Sequence, residues 1–537
     1  MGIGVCGLAG VLLLAGPARA QDDHQHGDAG RLGTVKFANS CAEDVQPAFA
    51  RGMALLHSFE FGTAIDAFAD VVRRDPSCGV ALWATGLAQW GNPFATAVRP
   101  PAQTQPGRAT LERAAAIGAK TARERDYIAA AAALFDRFET VDQGTRMRAY
   151  RDAMQQVSAR YRDDPEAAAF YALALAAAAD PADKSYADLL KAGGILETLW
   201  RSQPDHPGLA HYIIHSYDVP ALAPRAVTAA RRYAAIAPAA PHALHMPSHT
   251  FTRLGYWQDS IDTNILSAAA ARKAGSVNEE LHATDYQVYA YLQSGQDAPA
   301  RRLVDSLPDL VARATPAAAA SAAPPTAGTY ARAAIPARFA LERGAWAEAA
   351  GLEPRATGVA YADAMTWFAR ALGAARLGNA AVCRAAVDEL QKAIDRLTLE
   401  HETYWVEQGA IQKLGASAWL ALADGRTSEA LAGMREAADR EDRTEKSAVT
   451  PGPLAPAREL LGDMLIQLKR PKEAQVEFQK TMAKEPNRFR AVAGAAAAAA
   501  QAGDRAGARK YYAQLLRICP RAEAAGRPEL ETARAFK

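Results

Sequence analysis

The chain has 537 residues, too many for one compact core, and a repeat array escapes that limit because each unit packs only on its neighbours. Hydrophobic residues make up 50 % but aromatics only 7 %, with alanine runs such as 495–500, a composition that points to helix throughout. A net charge of +2, a pI near 8.2 and the lack of any dense Lys/Arg block argue against a nucleic-acid partner.

The apolar stretch 7–14 is too short to span a bilayer. Ala18-Arg19-Ala20 then supplies a small-x-small cleavage site before Gln21, so residues 1–20 are expected to be a secretory signal, though a basic n-region is missing. The expected address is periplasmic or secreted. No later segment has the length and apolarity of a transmembrane helix. Residues 21–39 are polar, carry His24 and His26, and are expected to form a disordered tail. Cys41, Cys78, Cys383 and Cys519 follow the signal. An oxidising compartment permits disulfides, and Cys41 and Cys78 bracket the first helical hairpin, so a Cys41–Cys78 bridge is expected.

A tetratricopeptide (TPR) repeat runs Trp-x-x-Leu-Gly-x-x-Tyr on helix A, Ala-x-x-x-Phe on helix B, then Pro, in 34 residues. Gly52, Ala64, Phe68 and Pro76 fit its eighth, twentieth, twenty-fourth and thirty-second positions, and Gly462, Ala474, Phe478 and Pro486 fit them again. Gly255 with Trp257 and Gly344 with Trp346 mark turns between helix A and helix B, as do Gly295, Gly378 and Gly425. The expected fold is an all-α, TPR-like helical-hairpin solenoid, a right-handed superhelix. Residues 40–313 form an N-terminal array with a His-rich groove and 330–537 a C-terminal array. The Ala/Pro-rich stretch 314–329 reads as a flexible linker between them, or as a loop inside one continuous superhelix.

Histidine spacing carries the functional signal. The chain has 11 histidines, and His211 and His215 recur as His245 and His249 after one 34-residue repeat length. With Gly255 at the fifteenth position, His242, His245 and His249 take the second, fifth and ninth. His211 and His215 take the fifth and ninth one repeat earlier. His282, Asp285 and Tyr289 take the second, fifth and ninth one repeat later. Offsets of three and four share a helical face, and neighbouring helices pack about 8–10 Å apart, so imidazoles from two helices can converge on one ion. The resemblance to TPR proteins implies that these residues, with Asp218, Arg253 and His57, line the concave groove. Histidine and carboxylate ligands without cysteine suit zinc first, with iron, copper or nickel as alternatives. The 211–215 pair lacks the glutamate of a zincin motif. Pro247 falls inside helix A of the central repeat, which requires a kink there or a helix start near it.

The segments 206–215, 241–255 (Pro-His-Ala-Leu-His-Met-Pro-Ser-His-Thr-Phe-Thr-Arg-Leu-Gly) and 282–286 resemble a family of exported bacterial TPR proteins, as do 75–78, 123–128 and 449–462. The resemblance implies a fold and an export address and brings no mechanism. The leading expectation is a transition-metal site built from His211, His215, His245, His249, His282 and Asp285, with His57, Asp218, His242, Arg253 and Tyr289 lining the groove. A metal-free scaffold for a peptide or protein partner is the alternative. A metal-dependent hydrolase using Asp218 or Asp285 as base is a third. Structural, hydrogen-bonded histidines are the plain alternative to all of these.

Overall fold

The computed structural model describes residues 1–2, 30–95, 97–314, 323, 326–523 and 527–536. The expected signal beyond Gly2, residues 21–29 of the expected tail, and 315–322, 324 and 325 of the Ala/Pro-rich stretch lie outside the described residues. Among the described residues, secondary structure is helical throughout, and successive helices pack as hairpins of the TPR type. No helix among them is long and apolar enough to cross a membrane.

The first hairpin, Gln46–His57 with Phe61–Arg74, shows why these residues pair. Phe61, Ala64, Phe68 and Val71 recur at helical spacing and bury one face of the second helix. Gly52 on the first helix accepts the Phe68 ring, where an added Cβ would stand 2.7 Å from Phe68 Cε1. Gly462 and Phe478 repeat the contact at the same 2.7 Å. The eighth-position glycines are therefore packing residues. The turn glycines Gly255 and Gly344 have φ of +66° and +63°, the left-handed region that glycine enters freely.

The Cys41–Cys78 bridge is formed, with Cα atoms 4.9 Å apart, and it ties the entry of the first hairpin to its exit. Cys383 and Cys519 are buried thiols. The expected tail needs correction over 30–39. Leu32, Val35 and Phe37 are buried, Phe37 stacks on Trp83 at 5.4 Å, and the Thr34 N–H donates to the Asp205 carbonyl at 2.9 Å. Three apolar side chains in an otherwise polar segment are enough to anchor it in a groove.

Helices Val277–Gln293 and Ala327–Glu342, on either side of the Ala/Pro-rich stretch with Asp297–Asp305 and Leu307–Ala312 also before it, pack together around Leu281, Val288, Leu292, Ile335 and Phe339. The C-terminal repeats also return to the central ones. Trp257 Nε1 donates to the Asn487 carbonyl at 2.8 Å, and the Phe489 N–H donates to Gln293 Oε1 at 2.9 Å. Lys184 meets Glu445 at 2.7 Å. This closure brings the loop around 443–456 over the inner helices that carry the histidines.

Candidate metal centre

Three inner segments present the histidines: Pro207–Ser216, the pair Pro241–His245 and Pro247–Leu254, and Val277–Gln293. Pro247 resolves as a break. One short helix ends at His245, the next starts at Pro247 in the first-turn position that tolerates proline, and Met246 joins them with helical dihedrals (φ −54°, ψ −35°).

The six histidines form two triads. In one, His211, His215 and His242 each offer a nitrogen, and in the other His245, His249 and His282 do the same; within each triad the offered atoms lie within 4.8 Å of one another. All six side chains are buried. Each triad can hold a metal ion. The grouping differs from the expected meeting of His211 and His215 with His245 and His249. Each site takes the fifth and ninth positions of one repeat and the second position of the next. The helices are staggered, so equivalent positions do not sit level. His242, expected only to line the groove, is thereby a candidate ligand. Its frame position matches that of His282, a correspondence already present in the spacing.

Hydrogen bonds fix the tautomers. His245 Nδ1 lies 2.7 Å from Asn264 Oδ1, and the Asn264 amide donates to the Ser260 carbonyl at 2.8 Å, so Nδ1 of His245 is the donor. His249 Nδ1 donates to Asp218 Oδ2 at 2.9 Å. His211 Nδ1 donates to the His57 carbonyl at 2.7 Å. Each of these rings therefore presents Nε2 with its lone pair, the arrangement metal-ligating histidines adopt. Nε2 of His245 and Nε2 of His249 face each other at 3.1 Å. Two nitrogens bound at 2.0–2.1 Å to one tetrahedral ion stand about 3.3 Å apart. His211 Nε2, His215 Nε2, both nitrogens of His242 and Nδ1 of His282 are buried without a protein partner. The Tyr286 hydroxyl stands 3.4 Å from His249 Nε2.

The electrostatics favour neutral ligands. Burial pushes His211 and His282 down to about 3, and the neighbouring imidazoles add to the shift. Burial likewise holds His215, His242 and His245 well below the usual histidine value. Burial lowers His249 too, against the opposing pull of Asp218. Burial opposes ionisation of Asp218, yet Lys446 and Arg253 keep its carboxyl well below the usual range. Asp218 accepts from Arg253 Nε at 2.8 Å and from Lys446 Nζ at 3.2 Å. Burial pushes Lys446 down to about 8. Glu60, which accepts the His242 N–H at 3.2 Å, is raised to about 8 by burial and by Glu279.

A small pocket opens on both triads, lined by His215, His242, His249 and His282 with Phe94, Met246, Tyr361 and Trp405. His215 stacks on Phe94 at 4.1 Å.

Three expected site residues sit elsewhere. Asp285 is not with the triads: its Oδ1 accepts from the fully buried Arg338 Nε at 3.1 Å, and that pairing occupies the carboxylate. It continues the frame, so an ion pair stands where a third site would fall. Tyr289 turns to Arg488 (3.0 Å) and Glu485 (3.3 Å). His57 is fully buried, with Nε2 2.9 Å from Glu166 and Nδ1 2.9 Å from the Tyr212 hydroxyl. His206 Nε2 meets the other Glu166 oxygen at 2.8 Å, and its Nδ1 accepts the Leu209 N–H at 3.3 Å. The donor atoms of that His57–Glu166–His206 group also lie within 4.8 Å of one another, but every nitrogen in it has a protein partner, the pattern of structural histidines. Sequence reasoning sets His206 aside as off the repeat frame and passes over Glu166 and Asn264, because nothing in the repeat spacing links them.

No family model matches the chain, and no curated protein matches it. Among solved structures, the human IFIT1 dimer with m7Gppp-AAAA is similar at 10 % identity and a TM-score of 0.39, covering 89 % of this chain and 96 % of that one. The APC/C hetero-tetramer Cut9-Hcn1 is similar at 12 % identity and a TM-score of 0.31, covering 91 % and 90 %. At these identities the likeness concerns fold alone.

Proposed function

We propose that this protein binds a transition metal, zinc first among the candidates, through the buried histidines of its inner helices. One observation carries the reading. Nε2 atoms of His245 and His249 face each other at 3.1 Å while both Nδ1 protons are committed to Asn264 and Asp218. Two neutral imidazoles so arranged have no proton to share, and a cation between the lone pairs relieves their repulsion. The same ion would take His282 as its third ligand. The Cys41–Cys78 bond supports an oxidising compartment and hence the export proposed for the chain.

Elemental analysis of protein purified without a histidine tag tests the reading. At least one equivalent of metal is expected, and His249→Ala should remove the ion held by its own triad. Protein that is metal-free and also rejects added zinc, copper and iron overturns it.

A second reading, a scaffold for a peptide or protein, draws on a larger pocket of about 1000 Å³ beyond Trp405, lined by Arg253, Tyr404, Gln408, Lys446 and Lys484. His249→Ala abolishes metal uptake by its own triad under the first reading and only weakens partner capture under the second.

A further inference from the structure

The two triads are copies of one pattern. His211, His215 and His242 occupy the same repeat positions as His245, His249 and His282. In both copies the fifth-position ring is pinned through Nδ1, by the His57 carbonyl at 2.7 Å in one and by Asn264 Oδ1 at 2.7 Å in the other. Both copies are buried. They also adjoin. The ring centroids of His215 and His249 are 6.0 Å apart, as are those of His242 and His245. One pocket takes His215 and His242 from the first triad and His249 and His282 from the second.

Resting on the metal reading above, we propose that the two triads hold two transition-metal ions side by side, a dinuclear centre whose ions share a small anionic ligand admitted through the pocket. The first triad is the stronger evidence for the second ion. His211 Nε2, His215 Nε2 and both His242 nitrogens are buried without a protein partner, an arrangement that is unfavourable unless a ligand completes it. The contrast within the molecule is direct: His57 and His206 are equally buried, yet all four of their nitrogens are partnered.

The anion follows from charge. Six imidazoles bring none. Among the described residues, Asp218 is the carboxylate bonded to a ligand ring, and it already faces Arg253 and Lys446, while Glu60 accepts from the His242 backbone N–H. Two buried divalent ions therefore need a negative partner from outside the chain, because uncompensated buried charge is strongly disfavoured. Hydroxide or a small oxyanion bridging the ions meets that need. Phe94, Met246, Tyr361 and Trp405 wall the pocket together with the polar Asn92, Thr326 and Ser447.

Cupric ion is the test probe, added to chelator-treated full-length protein and followed by elemental analysis and electron paramagnetic resonance. Two equivalents are expected to bind. The second should diminish the signal per copper or add a half-field transition, because neighbouring spins couple. His211→Ala and His282→Ala should each keep one equivalent with an uncoupled signal, with folding checked by circular dichroism. Should either variant unfold, the wild-type titration still decides. One equivalent at saturation overturns the dinuclear centre and leaves the metal reading standing. Two equivalents whose signal merely doubles overturn it as well. No binding at all removes both.

Discussion

Histidine burial is decided one nitrogen at a time. In the Glu166 group, each ring donates from Nε2 to the carboxylate and accepts at Nδ1, so those rings glue helices together. In the triads, Nδ1 of His211, His245 and His249 is committed and Nε2 is presented. Two outcomes separate these roles. Asp218→Asn should lower metal affinity about 10–100-fold, since it removes the carboxylate that orients His249; an unchanged dissociation constant by competition with a chelator would count against Asp218 as a positioning residue. His206→Ala should leave metal stoichiometry unchanged and cost about 1–3 kcal/mol of stability in urea, because Glu166 loses a buried partner. Metal loss in that variant would show the group to be more than structural.

At the scale of elements, the hairpin depends on close approach. Gly52 and Gly462 face phenylalanine rings where a Cβ would intrude at 2.7 Å. Gly462→Ala should destabilise by about 1–3 kcal/mol through overpacking, and Phe478→Leu should return part of the loss. A neutral Gly462→Ala in thermal melts would mean the ring has room to move. The stagger of inner helices is an element-level property too. It assigns His242 to the Pro207–Ser216 histidines and His282 to the Pro247–Leu254 histidine, and it turns the third copy of the pattern into the Asp285–Arg338 pair.

Across the whole molecule, two constraints set stability. The Cys41–Cys78 bond closes a sequence separation of 37, which in the chain-entropy account contributes about 4 kcal/mol at 25 °C. Reduction should lower the unfolding midpoint without changing metal stoichiometry, and an unmoved midpoint would contradict the bond's contribution. Protons act on the histidines. Their folded values lie below the 6.5 of an unfolded histidine, down to about 3 for His211 and His282, so below pH 6.5 the unfolded chain binds more protons and stability falls with pH. Each additional proton steepens the slope by about 1.4 kcal/mol per pH unit. Glu60, Glu441 and Glu459, raised to about 8, about 7 and about 7, work the other way between those values and 4.5, and the six triad histidines outnumber them below 6.5. Urea midpoints of metal-free protein should therefore drop from pH 6.5 to 5. A flat profile would mean the rings are solvated.

Much of this was legible in the sequence. Local rules decided the fold: alanine-rich helical composition, glycine at left-handed turns, and the Gly/Ala/Phe spacing of each hairpin act within tens of residues, and the spacing singled out both bridged cysteines and, as candidate ligands, five of the six histidines that the structure gathers into triads. Tertiary structure decided the rest, because it turns on distances between repeats that spacing does not encode. The stagger of packed helices split four expected partners between two triads and made His242 a candidate ligand. A buried arginine from the next helix claimed Asp285. Apolar side chains at 32, 35 and 37 drew a polar segment into a groove. Return of the C-terminal repeats brought Lys446 to Asp218 across 228 positions of chain, a contact that follows from the curvature of the array and from no motif.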